Sequence, residues 1–117
     1  MNKKIWIAPF VKKEKDIDGN IISIYDKPYC IYATINTLSG SAEIDVFGDR
    51  IKRMCKTMVP YRMINKIKEN DVAYLFDTSP EGEEIYGENA NYRVDAVLPQ
   101  NIKAKVYFEK MIDDGKK

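Results

Sequence analysis

Tyr29-Cys30-Ile31-Tyr32-Ala33-Thr34-Ile35-Asn36-Thr37-Leu38 is the longest clean run in the chain dominated by β-branched and aromatic residues. Tyr29, Ile31, Ala33, Ile35 and Thr37 share one face if the segment is extended, because successive side chains of a strand point to opposite sides. Such residues suit a pleated, half-buried surface. The period here is two, so the segment predicts a strand.

Working towards the N-terminus, Tyr29 is preceded by Lys27-Pro28, which ends a shorter apolar run over residues 21–25. Before that run lies Asp16-Ile17-Asp18-Gly19-Asn20, and Asp-Gly followed by Asn between two strand-like segments is a strong hairpin signal. Residues 5–11 read as a first strand, apolar on both faces. Pro9 has no N–H to give a ladder, which places that strand at a sheet edge or on a bulge.

Towards the C-terminus, Ser39-Gly40-Ser41 breaks the pattern. Residues 41–49 fit either a helical turn or an irregular loop, closed by Gly48. Over residues 50–61 Lys52, Met54, Lys56 and Met58 alternate with Ile51, Arg53, Cys55, Thr57 and Val59, predicting a strand with one basic-and-Met face that Pro60 terminates. A connector over 63–70 leads to a compact strand at 72–76. Residues 78–90 hold Pro80, Gly82, Gly87 and a group of acidic side chains, and read as an exposed hairpin loop. Tyr92, Val94, Ala96 and Leu98 then point one way with Arg93 and Asp95 opposite. Pro99-Gln100-Asn101 turns the chain into a last strand, where Ala104, Val106 and Phe108 alternate with polar residues. Residues 112–117 look frayed.

Short strands at regular spacing, about six to seven of them, predict a mainly β fold: a small antiparallel barrel or sandwich with a long inserted loop. The chain's 117 residues fit a single domain, 1–117. At that length roughly two-thirds of the unfolded surface can leave water, so neither disulfides nor a metal is needed.

Charge narrows the function. Nineteen basic and 18 acidic residues give a formal charge of +1, whereas a protein that grips nucleic acid by its phosphates usually carries a clear basic excess. There is no histidine, and so no His-based triad, no His metal ligand and no ordinary general base near neutral pH. Cys30 and Cys55 do not form a CxxC pair and read as two buried free thiols. No apolar run approaches the ~20 residues of a membrane helix, and the N-terminal apolar run is too brief for a signal peptide. A cytoplasmic site of synthesis is expected. No catalytic residues, cofactor or metal are expected, and the protein reads as a non-enzyme.

Three clusters remain as candidate sites. Asp16-x-Asp18-x-Asn20 imitates the start of a calcium loop, but its glycine falls too early and no Glu stands at the twelfth position, so it reads as a turn. Glu81, Glu83, Glu84 and Glu88 read as solvated loop charges. Arg50, Lys52, Arg53 and Lys56 form a basic face, but their neighbours Met54 and Met58 favour protein contact over base stacking.

The order of these pieces resembles the head-closure, or stopper, proteins of tailed bacteriophages, which join head to tail. The residues that carry the resemblance are the charged turn at Asp16-Ile17-Asp18-Gly19-Asn20, then Tyr32-Ala33-Thr34-Ile35-Asn36-Thr37-Leu38-Ser39-Gly40. Arg62 near the end of a long strand, Lys68-Glu69-Asn70-Asp71 and Tyr92-Arg93-Val94-Asp95-Ala96-Val97 complete it. It spans residues 4–108, and the order is more specific than any single motif. The acidic loop over 78–90 departs from the tighter turn of many members, as does the low arginine content.

The resemblance implies a homo-oligomeric ring in the virion neck. It would dock below the portal and adaptor, close the DNA-filled head and present a platform to the tail terminator or tail. On that reading Ser39, Gly40, Ser41, Glu43, Asp45, Phe47, Gly48 and Asp49 form a loop towards the lumen, with Gly40 and Gly48 as hinges. Arg50, Lys52, Arg53, Met54, Lys56 and Met58 form a strand facing a subunit or the packaged DNA. Glu81, Glu83, Glu84, Tyr86 and Glu88 form an axial-contact loop. The alternative from a different class is an OB-like or SH3-like module for single-stranded nucleic acid.

Overall fold

A computed structural model describes residues 3–38 and 40–111. Ser39 and the tail at 112–117, including its expected fraying, lie outside the described residues. The fold is mainly β. Among the described residues nine strands run in chain order: β1 (Lys3–Ala8), β2 (Phe10–Lys15), β3 (Ile21–Tyr25), β4 (Tyr29–Ala33), β5 (Asn36–Thr37), β6 (Met54–Pro60), β7 (Val72–Tyr74), β8 (Tyr92–Gln100) and β9 (Lys103–Lys110). A short helix, α1 (Ser41–Phe47), is followed by a 3₁₀ segment, Gly48–Arg53.

Seven strands form one antiparallel sheet in the order β4-β1-β7-β8-β9-β6-β5, and β2 with β3 forms a separate two-stranded ribbon. The run over residues 29–38 is not one strand. It breaks at Thr34-Ile35, so that β4 pairs with β1 at one edge while β5 pairs with β6 at the other. The sheet therefore curls into a half-barrel whose two edges are reached by one continuous segment. Where β4 passes β6 there is no ladder. The Thr57 hydroxyl donates to the Thr34 carbonyl at 2.6 Å and ties the two sides there.

The interior is filled by the inward-facing residues that alternation predicts. Ile5, Ile7, Ala33, Cys55, Val59, Ala73, Val94, Ala104, Val106 and Phe108 are buried together, with Ile67 and Leu75 from the connecting segments. Burial alone pushes the Cys55 thiol up to about 12, so it stays protonated and packs as a small apolar group.

Two features revise the strand reading. Pro9 does not end an edge strand: β1 lies inside the sheet between β4 and β7. The chain breaks at Pro9, whose carbonyl accepts the Asp26 N–H at 2.8 Å, and β2 leaves in a new direction. The second feature is a bulge at Asp95. Val94 pairs with Phe108 but Ala96 pairs with Tyr107, skipping one residue. An extra residue reverses the inside–outside phase, so Val94 and Val97 both meet the core. Ala96 turns outward to a second cluster with Leu38, Met54, Phe47, Ile51 and Tyr107.

Candidate functional site

The outer face of β8, β9 and β6 carries α1 and the 3₁₀ segment, and here most of the candidate residues meet. The strand expected over residues 50–61 begins only at Met54. Arg50, Lys52 and Arg53 belong to the 3₁₀ turn, after Gly48 has ended α1 at a φ of +59°. Side chains three apart nearly eclipse in a 3₁₀ turn, which brings Arg50 and Arg53 to the same carboxylate.

That carboxylate is Glu109, whose side chain is 7% exposed. It accepts Arg50 at 3.0 Å, Arg53 at 2.7 Å and Arg93 at 2.9 Å. Asp95, re-aimed by the bulge, takes Arg50 on its other side at 3.1 Å. Asp95 first, then Glu109, raise the Arg50 guanidinium further above its usual range. Lys56 is likewise occupied, lying 2.7 Å from Glu43. The basic face is thus an intramolecular ion-pair network, with the exposed Lys52 outside every ion pair among the described residues. Glu109 and Asp95 were not singled out from sequence. Their alternation with apolar neighbours reads as ordinary solvent-facing polarity, and nothing marks them as buried.

Of the two alternatives for residues 41–49, a helical turn or an irregular loop, the structure has the helix. Residues 41–47 are helical, and the helix is pinned to the sheet. Glu43 receives Lys56, the Tyr107 hydroxyl at 3.1 Å and the Gly40 N–H at 3.3 Å. The Lys56 hydrogen bond chiefly holds the Glu43 carboxyl below its ordinary value of 4.5, with Gly40 and Tyr107 assisting against burial. Burial, then Glu43, push Tyr107 up to about 12. The Phe47 ring lies 4.9 Å from that of Tyr107, centroid to centroid. Glu43 and Phe47 therefore face the barrel, whereas Asp45 and Asp49 face solvent. Met54 is buried under the 3₁₀ turn, and Met58 is exposed on the same strand face.

The loop closing β7 to β8 is an ordered cap. Tyr74 donates its hydroxyl to Glu83 and accepts the Gly87 N–H at 2.9 Å. Glu83 also accepts the Asn89 N–H at 2.8 Å, and Glu88 accepts the Glu84 and Ile85 N–H groups, each at 3.3 Å. Glu83 and Glu88 thus hold the loop's own backbone and are not merely solvated charges. Glu81, Glu84 and Tyr86 remain exposed, beside an exposed Ile85.

The third group is the β2–β3 ribbon, which the Asp16–Asn20 turn signal placed correctly. Its register runs from Lys12↔Ile24 to Lys15↔Ile21, with a shift near Val11. Its base rests on the barrel through Phe10 and Tyr25, whose rings meet edge-on at 5.9 Å. Beyond that base it projects: Val11, Ile17, Ile21 and Ile22 are all exposed. The ribbon has the form of an arm.

No protein-family model matches the chain, and no curated protein matches its sequence. The chain is similar in structure to protein SF1141 from Shigella flexneri 2a, a structural-genomics target solved in solution. The TM-score is 0.58 at 18% identity, over 97% of this chain and 93% of that one. At that identity the likeness is one of fold alone.

Proposed function

We propose that the protein is a structural subunit of a tailed-phage neck, assembling as a ring below the portal and adaptor to close the DNA-filled head and join it to the tail. The observation that carries this reading is the projecting β2–β3 arm. Its apolar side chains Val11, Ile17, Ile21 and Ile22 are buried in no core of their own chain, and exposed apolar surface of that kind marks contact with other proteins. The order of motifs from residue 4 to residue 108 supports the choice of a head-closure subunit among such proteins.

The ion-pair network favours a conduit over a nucleic-acid grip. Arg50, Arg53, Arg93 and Lys56 each face a carboxylate within 4 Å, and phosphate binding would have to displace those partners. A wall with little unbalanced positive charge lets DNA pass without holding it.

The experiment is to add the purified chain to portal–adaptor particles and to follow binding and retention of packaged DNA. Stoichiometric addition with DNA retained is the expected result. Indifference to the particles, together with tight oligonucleotide binding that falls steeply with salt, overturns the reading in favour of the nucleic-acid module.

A further inference from the structure

The barrel has one incomplete side, and the arm has one unused tip. Between β4 and β6, where no ladder forms, two hollows adjoin at Tyr32. One, of about 240 Å³, is lined by Ile31, Tyr32, Val59, Pro60, Arg62 and Met63. The other, of about 320 Å³, is lined by Tyr32, Ala33, Thr34, Asn36, Met58 and Lys103. The first is apolar apart from Arg62, and it is smaller than the ~300 Å³ at which small-molecule sites begin. That size suits an inserted side chain. Tyr32 at its lip is 67% exposed. Neither Arg62 nor Lys103 is in an ion pair among the described residues.

The tip of the arm is complementary in shape and charge. Ile17 is 99% exposed and stands between the carboxylates of Asp16 and Asp18. The turn that presents it is fully tied. Asp16 N–H donates to the Asn20 carbonyl at 2.8 Å and Gly19 N–H to the Asp16 carbonyl at 3.0 Å. One Asp16 carboxylate oxygen accepts both the Asp18 N–H at 2.9 Å and the Asn20 N–H at 2.8 Å. A knob fixed in advance gives up little conformational freedom on docking. An isolated exposed Ile is ordinary. An Ile presented between two acids on a tied turn matches an apolar hollow that Arg62 lines and that adjoins a second hollow lined by Lys103.

We propose that the Asp16-Ile17-Asp18 tip of one copy docks into the Tyr32 hollow of a second copy, Ile17 against Ile31, Val59 and Met63, with its flanking carboxylates facing Arg62 and Lys103. The contact is head-to-tail, because tip and hollow are different surfaces, and such contacts close into a ring when the rotation permits. It deepens the neck proposal and rests on it for the assembly in which the contact operates, but the contact itself is testable on the purified chain.

The test is sedimentation equilibrium of the full chain from about 10 μM to about 1 mM, the range of weak specific association. Ile17→Asp weakens association about 10- to 100-fold, the effect of losing one buried aliphatic side chain. Asp18→Lys and Arg62→Glu each weaken it, and an equimolar mixture of those two variants recovers it, since every tip then has an oppositely charged hollow available. Circular dichroism of each variant checks that the fold is kept. A wild-type chain that stays monomeric to about 1 mM, or association that ignores all three substitutions, overturns the proposal. If Ile17→Asp still rings normally on portal–adaptor particles, this contact fails while the neck reading stands. Tip-dependent association with no particle binding has the opposite meaning.

Discussion

The Asp71 carboxylate accepts the backbone N–H of Phe10 at 2.8 Å, across 61 positions of sequence. Its second oxygen accepts the Lys68 N–H at 3.0 Å. Asp71 is buried, and burial outweighs the two hydrogen bonds, so its carboxyl sits above the ordinary range. One side chain thus fixes both the entry to β7 and the corner where the chain leaves the barrel for the arm.

Replacing Asp71 with Ala leaves two amides without acceptors, which costs about 2 kcal/mol in urea unfolding. Amide exchange accelerates at Phe10 and Lys68 first. Because the folded carboxyl titrates above the unfolded one, its contribution is full below the unfolded value and declines as pH rises through the folded one. The variant loses that component of the pH profile.

Glu43 behaves in the opposite sense. Its folded carboxyl lies below the unfolded value of 4.5, so the stability it gives is present above that pH and lost as pH falls through the folded value. Thermal melts of wild type between pH 6 and about pH 3 should fall more steeply than those of Glu43→Gln. Parallel profiles would show that the Lys56 partnership does not couple to folding.

Glu109→Gln removes the charge that three guanidiniums share. It destabilises the fold by about 2 kcal/mol, discounted because the arginines are partly exposed. It also leaves Arg50 and Arg93 with Asp95 as their remaining acid, and removes the carboxylate that Arg53 faces. The variant is expected to bind oligonucleotides at low salt more tightly than wild type, with the salt dependence of phosphate contacts.

Gly87 and Gly19 both have positive φ, but their surroundings differ. A Cβ at Gly87 would lie 2.6 Å from the Tyr25 ring, whereas nothing approaches within 4 Å at Gly19. Gly87→Ala should therefore lower the melting temperature clearly more than Gly19→Ala, which bears only the backbone cost of about 1 kcal/mol.

Period-two patterning made the sheet legible, since Ile5, Ile7, Val59, Val106 and Phe108 follow strict alternation into the core. The turn of the arm was legible because Asp-Gly-Asn is a local signal with a local cause, whereas its strand over Phe10–Lys15 was hidden by the charged run that follows Val11. What escaped depended on residues distant in sequence. The 3₁₀ turn at 48–53 imitates alternation over a few residues, and only contact with Glu109 distinguishes it from a strand. The Asp95 bulge did leave a trace, the apolar pair Val94 and Val97 three apart, but a single odd spacing carries little weight without a partner strand. The hollow at Tyr32 exists because β4 and β5 diverge at Thr34, which no propensity encodes.

The threading of residues 29–37 along both sheet edges also bears on how the chain folds. Neither edge can be finished until β1 and β6 are in position, and β6 waits on β9 from the far end of the chain. Closure is therefore a late event that joins segments remote in sequence, and refolding should run on the slow, millisecond-to-second scale of non-local β topologies. Until that last segment is laid down, a nascent chain exposes two unsatisfied strand edges, and this is the interval in which it is most open to mispairing with other chains.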